Sequence, residues 1–141
     1  MARKAKASGF QHVDIRVKDF KKSKVFYGKV LGYLGFKQIL LTKDFGGWDL
    51  NGQSFWVEQA PGKHKNKKFH RKNPGLNHIA FAAVSRKAID DFHKNFLKKN
   101  RVKTLYQTPK DFPEYSKGYY AVFFEDPERI KLELAYFPKH K

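Results

Sequence analysis

The chain repeats itself. His12 and His78 stand 66 residues apart, and sliding the first half by that distance lays HVDIRVKDFKKSKVFYGKVL on HIAFAAVSRKAIDDFHKNFL. Apolar positions coincide: Val13 meets Ile79, Ile15 meets Phe81, Phe26 meets Phe92 and Leu31 meets Leu97. An offset of 75 lays LNGQSFWVEQ on EDPERIKLEL, so that Glu58 meets Glu133 and the Asn51-Gly52 turn meets Asp126-Pro127. The difference between 66 and 75 reads as a longer loop in the second half. A repeat at this period restricts the fold to two copies of one supersecondary unit. Each copy reads strand, helix, then strands, with a His on its first strand and a Glu on its last.

Within each copy the alternation is that of half-buried strands. In FQHVDIRVK, Val13, Ile15 and Val17 share one face while His12, Asp14 and Arg16 share the other. Glu58 shares a face with Trp56, opposite Phe55 and Val57. Ile79 and Phe81 oppose His78, and Ile130, Leu132 and Leu134 oppose Glu133. Each strand therefore turns one metal-competent group away from a packed face. Two imidazoles and two carboxylates suit a divalent transition metal. Two modules around a pseudo-two-fold axis would bring His12, Glu58, His78 and Glu133 into one cleft. His64, His70, His93 and His140 follow no repeat and read as surface groups.

The elements follow from the same pattern. Residues 1–9 read as a disordered basic tail and 138–141 as a second tail. Residues 10–137 read as a single domain of two βαβββ modules, 10–60 and 76–137, joined by a basic loop at 61–75. Strands are predicted near 10–18, 36–43, 46–51 and 53–59, with Asn51-Gly52 as a tight hairpin turn. Asp19 is the expected N-cap of a helix over 20–33, whose core stripe is Val25, Phe26, Val30 and Leu31. In the second module a strand over 76–84 leads to a helix capped by Ser85, burying Ala88, Ile89, Phe92, Phe96 and Leu97. A short strand near 102–106, the loop QTPKDFPEYSKG, and strands 118–125 and 129–137 complete it. Tyr115, Lys117, Tyr119 and Tyr120 border a loop able to close a cleft, which makes Lys117 and Tyr119 expected substrate contacts. The fold class is α+β: paired βαβββ modules forming a curved mixed sheet with helices outside.

Composition narrows the function classes. With no cysteine, a disulfide framework, a thiolate nucleophile and a Cys-type zinc site are all excluded. Forty per cent hydrophobic and 16% aromatic residues argue for a folded globule. No apolar stretch follows MARKAKASG, so no secretory signal is expected, and no run approaches a membrane span. The cytoplasm is the expected location. Thirty Lys and Arg against thirteen Asp and Glu leave a net charge of +17. That excess attracts anions, yet no helix-turn-helix, RNP-type or zinc-finger pattern accompanies it. Specific nucleic-acid recognition is not expected.

The residues in HVDIRVKDFKKSKVFYGKVLGYLGF, GLNHIAFAA and YYAVFFEDPERIKLELAYF carry a resemblance over 10–137. They resemble the vicinal oxygen chelate superfamily, which includes glyoxalase I, bleomycin resistance proteins, extradiol dioxygenases and fosfomycin-resistance proteins. The resemblance implies a U-shaped sheet around a divalent metal, commonly in a homodimer. The family's first-strand His falls on His12, its fourth-strand Glu on Glu58, its fifth-strand His on His78 and its last-strand Glu on Glu133. Arg16 falls where bacterial glyoxalase I carries an arginine that holds glutathione. One departure is Arg129, where the family's Asp-Pro-x turn usually continues with Gly.

The resemblance implies glyoxalase I-like lyase or isomerase chemistry on a small substrate with vicinal oxygens. A metal held by His12, His78 and Glu133 would stabilise an enediolate, and Glu58 or a displaced Glu133 would move the proton. Ni, Co, Mn, Zn or Fe would serve, with glutathione as a candidate co-substrate. The alternatives use the same residues: an Fe(II) extradiol-type dioxygenase, a fosfomycin-type transferase or hydrolase, or a non-enzymatic drug-binding protein.

Overall fold

The computed structural model describes residues 5–138, so residues 1–4 and 139–141, His140 among them, lie outside the description. Two compact units divide the chain, Met1–Lys67 and Lys68–Lys141.

The first unit runs β1 (His12–Val17), α1 (Phe20–Tyr33), β2 (Lys37–Leu41), β3 (Phe45–Leu50) and β4 (Gln53–Gln59), then a 3₁₀ turn at Gly62–Asn66 within the expected loop. Its strands form one mixed sheet in the order β1-β4-β3-β2, with β1 parallel to β4 and the rest antiparallel. Asn51 and Gly52 both take positive φ, 52° and 84°, the geometry a two-residue hairpin requires of β3 and β4. Asp49 Oδ2 accepts from Gly52 N and steadies the turn.

Asp19 caps α1 by accepting from Lys22 N at 3.3 Å. The Gln59 side chain accepts from Phe20 N at 3.0 Å and donates to Lys18 O at 2.8 Å, which ties the helix start to the end of β4. That clamp sets the helix rotation: Phe20, Ser23, Tyr27, Val30 and Leu31 are buried. Val25 is therefore exposed, against expectation. It lies five residues from Phe20, about 140° around the helix. Tyr27 takes its place, stacked on Phe55 at 5.2 Å.

The second unit repeats the order with β5 (Ile79–Ala82), α2 (Arg86–Asp91), β6 (Thr104–Asp111), β7 (Tyr120–Glu125) and β8 (Lys131–Tyr136). Its sheet runs β5-β8-β7-β6, with β5 parallel to β8, so the repeat is real at the level of topology. Ser85 Oγ caps α2 by accepting from Ala88 N at 3.0 Å. The helix then widens into a π-helical turn over Phe92–Leu97, which still buries Phe92, Phe96 and Leu97.

Two boundaries differ from expectation. β5 starts one residue after His78, so His78 stands on the approach to the strand. β6 reaches Asp111 and absorbs the first part of the expected loop. It does so through a wide bulge: Leu105 is level with Phe123 and Lys110 with Ala121, five steps on β6 against two on β7.

Candidate functional site

The second unit contains a cavity of about 580 Å³ between β6, β7 and β8 and the segment that precedes β5. Its polar end is built from His78, Glu133, Tyr119 and Asn77. Alternation along β8 puts Lys131 and Glu133 on the cavity side, while Ile130, Leu132 and Leu134 are buried opposite. Glu133 is 2% exposed, yet it lines the cavity. Both its oxygens are engaged. His78 Nε2 lies 3.0 Å from Oε1, and the Tyr119 hydroxyl donates to Oε2 at 2.5 Å.

His78 is oriented from its other side, where Nδ1 lies 2.6 Å from Asn77 Oδ1. An amide oxygen only accepts, so Nδ1–H is the donor there. His78 Nε2 and Glu133 Oε1 face each other at 3.0 Å, one nitrogen and one oxygen donor atom of the kind a divalent metal takes. Burial, then the hydrogen bond to Glu133 and that carboxylate's charge, raise the Tyr119 hydroxyl well above the ordinary tyrosine value. It stays a donor across the neutral range.

The remaining walls are aromatic and cationic. Phe112 stacks on Tyr115 at 5.0 Å and meets Phe123 edge-on at 5.5 Å. Lys131 Nζ sits over Phe123 and Tyr106 at 5.3 and 5.2 Å, and Lys110 Nζ over Phe112 at 5.2 Å. Lys131 also donates to the Tyr106 hydroxyl at 3.2 Å.

The first unit carries the other expected groups on the outward face of its sheet. His12 is exposed, with Nδ1 2.5 Å from Gln11 Oε1. Glu58 shares a hydrogen bond with Asp14. That contact, followed by burial and the Asp14 charge, raises its carboxyl above the ordinary glutamate value against the pull of Arg16. Arg16 is exposed and level with Glu58 across the parallel β1–β4 ladder.

The ladders correct the expected alignment of the two halves. Two positions past His78, Ala80 lies opposite Glu133; two positions past His12, Asp14 lies opposite Trp56. The counterpart of Glu133 is thus Trp56, at an offset of 77 rather than 75, and Glu58 stands two steps further on the same face. Trp56 lies flat over Gly47, where an added Cβ would sit 2.4 Å from its ring, and its indole N–H donates to Ser54 Oγ at 2.9 Å. The ring fills a place where the second unit has a carboxylate.

Of the expected residues, the structure brings His78, Glu133 and Tyr119 together within the second unit. Among the described residues no three His, Asp or Glu side chains gather into a set that encloses a metal ion. Tyr119 holds Glu133 rather than projecting freely toward a substrate. Lys117 is exposed, and Tyr120 turns away to donate to Asp90. Sequence reasoning missed Asn77, Tyr106, Lys110 and Lys131. Lys131 was accessible to it, since alternation places it on the face of Glu133. Tyr106 was not, because its place depends on the bulge.

Comparison with known proteins agrees with this architecture. The model of the Glyoxalase/Bleomycin resistance protein/Dioxygenase superfamily matches residues 9–134. The uncharacterized protein YqjT of Bacillus subtilis (strain 168) is 33% identical over 123 residues, covering 87% of this chain and 94% of that protein. A crystal structure of a glyoxalase-like protein from Bacillus halodurans superposes with a TM-score of 0.82 at 32% identity, covering 92% and 96% of the two chains. Lactoylglutathione lyase from Agrobacterium tumefaciens shares the fold at a TM-score of 0.67 and 16% identity, covering 92% and 94%.

Proposed function

The chain belongs to the Glyoxalase/Bleomycin resistance protein/Dioxygenase superfamily, and from that premise we propose that it is a metal-dependent, glyoxalase-type lyase or isomerase acting on a small molecule with vicinal oxygens. The observation that carries this reading is the 3.0 Å approach of His78 Nε2 to Glu133 Oε1 at the wall of a substrate-sized cavity. His78 and Glu133 are the proposed metal ligands. Ni, Co, Mn, Zn and Fe are the candidate ions for this N/O donor set. When bound, a divalent ion supplies Lewis-acid stabilisation of charge developing on substrate oxygen.

The chain's own groups do the rest. Asn77 fixes the His78 ring and Tyr119 fixes the Glu133 carboxylate. Glu58 is the proposed proton carrier, which fits its place beyond the Trp56 position better than a ligand role does; Arg16 is proposed to hold an anionic group such as glutathione. Small-molecule turnover in the cytoplasm, as a homodimer, completes the reading. No helix among the described residues is long and apolar enough to cross a membrane.

The aromatic walls favour one second reading, an Fe(II) ring-cleaving dioxygenase. Both are tested by elemental analysis of stripped protein re-equilibrated anaerobically with each ion. About one tight ion per chain, lost in His78→Ala and in Glu133→Gln, is the expected result. Turnover of a hemithioacetal with Ni or Co then supports the isomerase, and oxygen uptake with Fe(II) the dioxygenase. Wild-type protein that takes up no ion overturns both.

A further inference from the structure

We propose that the cavity of the second unit selects a planar aromatic anion, its ring seated against the exposed rings of Tyr106 and Tyr115 and its oxyanion group placed between Lys110 and Lys131. The inference deepens the functional reading above, resting on that reading only for the statement that this cavity receives the substrate.

Charge makes the first argument. Lys110 and Lys131 line the cavity, and among the described residues neither is in an ion pair. Their ammonium groups rest instead on ring faces, at 5.2 Å from Phe112 and at 5.2 and 5.3 Å from Tyr106 and Phe123. Ring faces hold a cation without neutralising it. Glu133, the cavity's own carboxylate, has both oxygens engaged by His78 and Tyr119. Lys131 spends one of its three protons on the Tyr106 hydroxyl, which leaves donors for a ligand. The cavity therefore presents positive charge that the protein does not satisfy.

Shape makes the second. Phe112 and Tyr115 stack at an interplanar angle of 3°, while Phe123 and Tyr119 meet Phe112 edge-on at 76° and 90°. Phe112 and Phe123 are buried in this frame and hold the outer rings in place, so a flat ligand meets the open faces of Tyr106 and Tyr115. Tyr115 is 60% exposed at this wall, an aromatic surface left uncovered by the chain.

Backbone strain makes the third. Tyr106 and Gln107 hold φ of 60° and 56° within the β6 bulge. Left-handed backbone is disfavoured for a non-glycine residue. The bulge brings both Tyr106 and Lys110 to the cavity wall. Strain kept where it positions a lysine and its aromatic seat is strain kept for a ligand.

The test is binding of three probes by calorimetry: 2-naphthoate, its neutral amide 2-naphthamide, and acetate. It is run on metal-free and on metal-loaded protein. The acid is expected to bind at least about tenfold more tightly than the amide, the value of one charge-assisted hydrogen bond, and more tightly than acetate by a similar factor. Lys110→Gln/Lys131→Gln should abolish the acid's advantage over the amide, with a cooperative thermal transition and a far-UV spectrum like the wild type's showing that the variant is folded. Equal affinity for acid and amide, or an advantage that survives the double substitution, overturns the proposal. Acid selectivity on protein that takes up no metal supports the proposal while the metal reading fails, so the two fail separately.

Discussion

At the scale of the residue, Glu133 shows how a buried carboxylate is held ready. Its Oε2 is fixed by a phenol whose pKa is raised by burial first and by Glu133 itself second. Tyr119 therefore stays a donor across the neutral range, and Oε1 is left to face His78. Groups that orient a ligand in this way typically contribute about 10–100-fold in metal affinity. Tyr119→Phe should preserve the fold and weaken metal retention by about that factor in competition with a chelator; equal retention would reduce Tyr119 to a cavity wall. Glu58 makes the opposite case, with a carboxyl raised above its ordinary value, first by its hydrogen bond to Asp14. The folded state then binds the Glu58 proton more tightly than the unfolded chain does. Stability falls as pH rises from the ordinary glutamate value through the raised one. Asp14→Asn removes the cause. Its urea midpoint should exceed that of the wild type above this window, with the gap closing as pH drops below the ordinary value. A constant gap across about pH 4 to 7 would show that the pair is not linked to folding.

At the scale of the element, the signals that the sequence carried plainly are those with local chemistry. Asp19 and Ser85 cap their helices, and Asn51-Gly52 makes the two-residue turn, because each acts on backbone groups within three residues. What escaped depends on distant partners. The rotation of α1 is set by Gln59, 39 residues from the Phe20 amide it accepts from, which is why Tyr27 and not Val25 is buried. The β6 bulge escaped because neither Tyr106 nor Gln107 is a residue that announces positive φ. Arg129 belongs here as well. It holds φ 68° in the turn between β7 and β8, where its Nε lies 3.4 Å from Glu125 Oε2. Glu125 is buried and already bound by Arg71 at 2.9 Å, and the Arg129 side chain is 75% exposed. With its own guanidinium exposed and Glu125 already held by Arg71, Arg129 contributes about 0–1 kcal/mol through this pair. Left-handed backbone costs a non-glycine residue about 1–2 kcal/mol. The strain wins, so Arg129→Gly should leave stability unchanged or raise it by up to about 1 kcal/mol in chemical denaturation. A clear loss would mean that Arg129 holds Glu125 as firmly as Arg71 does.

At the scale of the whole molecule, the repeat was legible and its register was not. Both sheets share one strand order, as the matched apolar positions implied. The ladders, however, set β8 against β5 two places away from the register of β4 against β1 that the sequence alignment implied. A slide by an even number keeps every side chain on its face, so the sequence pattern alone cannot detect it. That is how Glu58 and Trp56 came to compete for one place. Net charge acts on this scale too. At +17 in 141 residues, cations outnumber anions by 30 to 13, and few of the cations among the described residues are in ion pairs. Uncompensated charge of one sign repels most strongly in the compact state, where the charges are closest. Salt shortens the reach of that repulsion from about 30 Å at 0.01 M to about 8 Å at 0.15 M. The melting temperature at pH 7 should therefore rise with NaCl over this range. It should rise further with phosphate, which screens and also binds the cationic surface. Substituting exposed lysines of the 63–72 segment by Gln should lower the salt dependence in step with the charge removed, without affecting metal retention. A melting temperature that falls or stays flat with added NaCl would show that the cations are already spaced beyond effective repulsion, so that the excess charge acts on anionic ligands and not on stability.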